Sequence, residues 1–94
     1  MRGMRLDLFL KTSRLCLRRT LAQRLCELSL VSINGSPARS AHPVKPGDEI
    51  TVRRRDKITR IRVVSMPTTR QTSRQEASTL YELLSEELLD SDPA

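Results

Sequence analysis

The chain has 94 residues, 37% hydrophobic and 30% charged, with a formal net charge of +6. That length holds one small core and excludes a catalytic domain beside a binding domain. The charge is divided: residues 1–75 carry all 17 Lys and Arg against five acids, a balance of +12, and residues 76–94 carry six acids and no base, a balance of −6.

A body this positive repels itself unless it meets a polyanion, so the basic region reads first as a nucleic-acid surface. Fourteen of the bases are Arg, whose rigid fork grips phosphate at two points. Cys16 and Cys26 stand ten apart beside a single His, His42, too few ligands for zinc. They read as two small buried hydrophobes in a reducing compartment. No apolar run approaches the ~20 residues that span a bilayer, and the chain is expected to be cytoplasmic.

In chain order, residues 6–18 fit a helix, with Leu6, Phe9, Leu10, Ser13, Cys16 and Leu17 on one stripe. Asp7, Lys11, Arg14 and Arg18 share another face, and Leu8 and Leu15 form a minor apolar patch. A second helix starts at Thr20, where Thr20-x-x-Gln23 matches a capping box. Leu21, Leu25 and Leu28 make its buried face, widened by Ala22 and Cys26, and Ser29 ends it. Val31 and Ile33 alternate before Asn34-Gly35, a hairpin signal because both residues tolerate positive φ. A return strand is expected from Ser36 to about Ser40. Ile50 and Val52 begin a further strand, Asp56-Lys57 turns the chain, and residues 58–64 come back with Ile61 and Val63 on one face. Residues 65–75 read as a polar linker. Ser73-x-x-Glu76 opens a third, acidic helix over residues 76–90, with Ala77, Leu80, Tyr81, Leu84 and Leu88 on one side. Those apolar residues are expected to dock on the body near Leu8 and Leu15, with the acids guarding part of the basic surface.

No catalytic constellation, metal set or cofactor motif is visible. His42 reads as a solvated loop residue, and Asp48 and Glu49 point to opposite faces of an extended chain. Lys11, Arg14, Arg18, Arg19 and Arg24 surround one helix junction, with only Asp7 at helical spacing to Lys11 and Arg14. One Phe and one Tyr, both on apolar faces, disfavour readout of single strands by base stacking. Gln23, Arg24 and Glu27 are a poor set for reading duplex DNA. A basic amphipathic first helix also suits a membrane surface, but its apolar stripe is needed for the core. Shape recognition of folded RNA remains.

The stretches RLDLFLKTSRLCLRRTLAQRL, VSINGSPAR and VKPGDEITV resemble, over residues 4–64, the RNA-binding domain named after small-subunit ribosomal protein four. RLD at the start, S-R-L-x-x-R-R at 13–19 and QEASTLYELLSEE at 75–87 resemble its short stand-alone form, the heat-shock-protein-fifteen and RqcP group. The resemblance implies an α+β fold, two helices on a small bent antiparallel β unit (the alpha-L motif), here with a C-terminal helix. It implies binding to ribosomal RNA of the large subunit and to peptidyl-tRNA during rescue of stalled nascent chains. In the quality-control form the tRNA is steadied while alanines are added to the nascent chain, which makes a nascent-chain-tailing factor a further partner. The heat-shock form would instead recycle large subunits holding obstructed peptidyl-tRNA. A DNA-binding regulator is the rival from another class, and an enzyme role would need a partner chain. The RNA-contacting set is expected to be Arg5, Lys11, Ser13, Arg14, Arg18, Arg19, Thr20, Arg24 and Arg39, with the Arg53–Arg55 and Arg60–Arg62 ribbon in support, on a chain that is monomeric when free. Leu8, Leu17, Ser29 and Leu30 depart from the family's usual Lys, base, Gly and base.

Overall fold

The computed structural model of the chain describes residues 4–66, 75, 77 and 79–88. In order, these form β1 (Met4–Arg5), α1 (Leu6–Thr12), α2 (Arg19–Glu27), β2 (Val31–Ile33), β3 (Ser36–Pro37), β4 (Pro43–Val44), β5 (Glu49–Arg53), β6 (Lys57–Val63) and β7 (Tyr81–Leu88). An antiparallel sheet runs β3-β2-β5-β6-β7, and β1 and β4 form a separate two-stranded ladder. The α+β class is as expected.

The first helix is shorter than its periodicity predicts. Helical geometry stops after Thr12, and Arg14 adopts a left-handed φ of 65°. Its N–H donates to the Lys11 carbonyl at 3.0 Å, and the Cys16 N–H reaches back to Leu10 at 3.0 Å. Ser13 helps close this end, its hydroxyl donating to the Leu10 carbonyl at 3.3 Å. Beyond that point the 3.6-residue period no longer applies. Cys16 is still buried, but Leu17, placed on the buried stripe by periodicity, is 85% exposed.

The second helix begins with Arg18 as N-cap, and no side chain caps it. The expected Thr20–Gln23 capping box does not form. Thr20 lies inside the helix, and the Gln23 amide is spent on Asp7. Ala22, Leu25 and Cys26 face the core, while Leu21 and Leu28 lie largely outside it. Ser29 takes a left-handed φ of 61°. Its N–H donates to the Cys26 carbonyl at 3.0 Å and that of Leu30 to the Leu25 carbonyl at 2.9 Å, the paired bonds of a Schellman cap.

Asn34 (φ 52°) and Gly35 (φ 90°) turn the β2–β3 hairpin as the dipeptide predicts. The Asn34 side chain reinforces it, donating to Asp48 at 3.2 Å and accepting the Glu49 N–H at 3.0 Å. β3 ends at Pro37, short of the expected Ser40, with one further bond from the Ala38 N–H to the Val31 carbonyl at 3.0 Å. β5 and β6 pair over five residues, Glu49↔Arg62 to Arg53↔Ile58. One cluster unites Leu6, Phe9 and Leu10 of α1, Ala22 and Leu25 of α2, and Val31, Ile50, Val52, Ile61 and Val63 of the sheet.

The largest correction concerns the acidic tail. Gln75 and Ala77 are helical, but residues 81–88 form a strand on β6 and not the expected helix. The register runs Val63↔Tyr81, Arg62↔Glu82, Ile61↔Leu83, then Arg60↔Ser85, so Leu84 is one extra residue and the strand is rephased there. The bulge erases the two-residue alternation that would have marked a strand. Basic β6 offers ladder partners and opposite charge: Lys57 pairs with Glu86 at 3.2 Å and Arg62 with Glu82 at 3.4 Å. Leu80 joins the core, Tyr81 packs against it, and Tyr81 and Leu83 share a shallow cleft with Leu15. Leu88, expected to dock, is exposed. Most of the expected linker, residues 67–74, lies outside the described residues.

Candidate nucleic-acid interface

The site is built on a buried acid. Asp7 occupies the first turn of α1 and is fully buried, although its spacing suggested a solvent face shared with Lys11 and Arg14. The turn is fixed by backbone bonds, Leu6 N–H to the His42 carbonyl at 2.8 Å and Asp7 N–H to the Ser40 carbonyl at 3.0 Å. Three side chains then converge on the carboxylate. Arg5 donates side-on, Nε to Oδ1 at 3.1 Å and Nη2 to Oδ2 at 3.2 Å. Arg19 donates Nε to Oδ2 at 3.2 Å, and Gln23 donates Nε2 to the same oxygen at 2.9 Å. Burial alone would raise the Asp7 carboxyl. The hydrogen bonds from Gln23, Arg5 and Arg19, with the Arg19 charge, outweigh it and hold the group below the usual carboxylate range.

A charged acid bonded to two guanidiniums does not quench them. A guanidinium has five N–H donors in a fixed fork. Arg5 spends two on Asp7 and Arg19 one, and their side chains remain 47% and 41% exposed. Asp7 therefore fixes the orientation of both and leaves the unused donors facing water. The ordering entropy of two long side chains is spent during folding and not during binding.

Around this pair the other expected contacts sort themselves. Arg18 is exposed at the N-cap of α2, where the first-turn N–H groups favour anions. Thr20 is exposed in that turn, and Lys11 is half-buried on α1. Arg14 is exposed and projects from a left-handed residue. Among the described residues, no carboxylate pairs with Lys11, Arg18 or Arg24. Ser13 corrects the expected set. It is 1% exposed and bonded to its own helix, so its hydroxyl is a structural cap and not a phosphate ligand. Arg24 lies in the last turn of α2, about 9 Å along the axis from Arg18. Arg39 lines a shallow groove with Glu27 and Ser29 at that C-terminal end. These two are not brought to the Asp7 junction.

Sequence reasoning missed Asp7 and Gln23 as the organisers. The available signal was an acid in a helix's first turn, followed by Arg19 and Gln23 on one face of the next helix. It also missed Arg54, which read only as supporting charge. The Arg54 guanidinium donates to the Leu15 carbonyl and so pins the loop between the helices to the end of β5. Its Nε is buried without a partner among the described residues. The supporting ribbon is partly neutralised, because Arg62 lies between Glu49 at 3.3 Å and Glu82 at 3.4 Å.

Other candidate chemistry is quiet. His42 is exposed, with Nδ1 2.8 Å from the Pro43 carbonyl. Both cysteines are free and buried. Burial pushes Cys16 up despite the Arg54 charge, and burial, with nearby Asp7, Cys16 and Glu27, pushes Cys26 up to about 11. Among the described residues no group of His, Cys, Asp and Glu is arranged to hold a metal ion, and no helix is long and apolar enough to cross a membrane.

A two-helix junction on a small antiparallel sheet, with its arginines turned outward, is the architecture of an S4 domain, and the S4 domain family matches residues 4–50. Over 86 residues the chain is 46% identical to the RQC P-site tRNA stabilizing factor of Bacillus subtilis, covering 92% of this chain and 98% of the relative. The factor of the same name from Halalkalibacterium halodurans is 44% identical over 84 residues, covering 89% and 93%. Among solved structures, the trimeric Heat Shock Protein 15 of Vibrio cholerae superposes with a TM-score of 0.79 at 29% identity, covering 87% of this chain and 82% of that one. The chain belongs to the S4-domain family, and within it to the branch that holds the RQC P-site tRNA stabilizing factors.

Proposed function

We propose that this chain is an RNA-binding accessory factor of the large ribosomal subunit that steadies peptidyl-tRNA while a stalled nascent chain is processed. The observation that carries this reading is the pair of half-exposed guanidiniums, Arg5 and Arg19, held on buried Asp7 beside the uncapped N-terminus of α2. The pair presents preset forks to phosphate oxygens, Arg18 and the first-turn N–H groups add further donors, and Lys11 and Arg14 extend the cationic surface. Nothing is bonded or cleaved: the chain works by binding ribosomal RNA on one side and tRNA on the other. The names of its relatives support tRNA over DNA as the ligand. The nascent-chain-tailing factor is the expected third party, the free chain is monomeric, and the compartment is the cytoplasm.

Purified large subunits carrying peptidyl-tRNA test the proposal. The chain is expected to slow tRNA loss and to co-sediment better with these particles than with tRNA-free ones, and an excess of duplex DNA should not displace it. Arg19→Ala should lose the effect. An unchanged rate of tRNA loss would contradict the proposal, and release of the tRNA would favour the heat-shock recycling role of the structural neighbour's group.

A further inference from the structure

The outer side of α2 carries a feature that lies apart from the Asp7 junction proposed to grip RNA. Leu21, Leu25 and Leu30 floor a groove of about 510 Å³ walled by Arg53, Arg54 and Arg55 at the β5–β6 turn. Leu30 is anchored there by its carbonyl, which accepts the Arg53 N–H at 2.8 Å. Leu21 is 44% exposed, and Leu28, seven residues further along the same helix face, is 58% exposed. Leu21 and Leu28 thus leave aliphatic surface open along this side of α2, beside the groove that Leu25 and Leu30 close from the core side.

We propose that this groove docks an acidic amphipathic segment of a protein partner, separately from the RNA site. The lining selects this chemistry. Its floor is aliphatic, with no polar group to meet a base edge and no aromatic ring on which a base would stack, since Phe9 is sealed in the core. It therefore suits aliphatic side chains. Its rim is cationic: Arg53 and Arg55 are exposed and, among the described residues, unpaired with any carboxylate, so the complementary rim is Asp and Glu. At 100° per residue, Leu21 lies about 200° around α2 from Arg19, so the two ligands approach opposite sides of one helix. RNA and a protein segment would be held together, with the domain as the bridge.

Methyl and backbone NMR of the full chain tests the proposal with three probes. One is a peptide of about 15 residues with Leu at i, i+3, i+4 and i+7 and Glu elsewhere; the second replaces Glu by Lys; the third is a structured ribosomal RNA hairpin. The Glu peptide is expected to shift Leu21, Leu25 and Leu30, the Lys peptide to leave them still, and the hairpin to shift Arg5, Arg19 and Gln23 instead. Leu21→Ser, at an exposed position that folding tolerates, should weaken the Glu peptide by about tenfold and leave the hairpin's affinity unchanged. Leucine shifts with the hairpin, equal shifts with both peptides, or none with the Glu peptide would overturn the proposal. The hairpin arm reports on the RNA reading independently, so failure of either can be told from failure of the other.

Discussion

Asp7 sets the behaviour of its neighbours because, among the described residues, it is the acid that two arginines and an amide all reach. Its carboxyl is held below its ordinary value. The stabilisation is therefore present at pH above the unfolded carboxylate value, near 3.9, and is lost as the pH falls through the folded value. Thermal unfolding followed from pH 7 to pH 2 should show this acid loss in the wild type, and Asp7→Asn should flatten that part of the profile. At neutral pH the same variant should be less stable by about 1.5–3 kcal/mol, the scale of hydrogen bonds to a charged group. Equal acid sensitivity in both proteins would show that the carboxylate is not what the arginines rest on. Ser29 makes the opposite case. A serine held at φ 61° in a helix cap is strained where glycine is not, so Ser29→Gly should raise stability by about 0.5–1 kcal/mol, or a melting temperature about 2–8 °C higher. A lower melting temperature would mean that the hydroxyl contributes more than the strain costs.

At the scale of elements, the acidic strand is held on β6 by its ladder and by two surface ion pairs, Lys57–Glu86 and Arg62–Glu82. Each such pair contributes about 0.2–1 kcal/mol and is screened by salt. Replacing Glu82 and Glu86 by Gln should lower amide-exchange protection across β7 roughly twofold to thirtyfold, with β5 unchanged. Equal protection in wild type and variant would show that the charges do not hold the strand. The physical reasons for what was legible lie in these same elements. The β2–β3 turn was readable because Asn34-Gly35 encodes its own dihedrals, and β5 and β6 because their side chains alternate without interruption. α1 was overextended because left-handed Arg14 carries no glycine to announce it. β7 read as a helix because the bulge at Leu84 breaks its alternation and leaves apolar residues three to four apart, while the partner strand that decides the matter ends 18 residues earlier. In the site, the arginines were visible as charge and motif. Their fixing acid was not, because Asp7 meets Arg19 and Gln23 only after α2 folds back across 12 and 16 residues of chain.

Over the whole molecule, the pairing of β7 with β6 gives the divided charge a direction. Glu82 and Glu86 lie against Arg62 and Lys57 and blunt that part of the sheet side, while Arg5 and Arg19 at the helix junction share the single carboxylate of Asp7 and stay half-exposed. The proposed RNA contact is thereby concentrated at the junction, while Arg53 and Arg55 at the β5–β6 turn stay unpaired with any carboxylate among the described residues. The central claim is that preset guanidiniums at the junction grip RNA phosphates, and its most direct test is affinity for tRNA-bearing large subunits measured against salt. Log affinity should fall linearly with log salt, by about 0.7–0.9 per phosphate gripped, and Arg19→Ala should lower that slope by roughly one such unit with all RNA targets weakened alike. A salt-independent affinity, or a slope that Arg19→Ala leaves unchanged, would contradict the account.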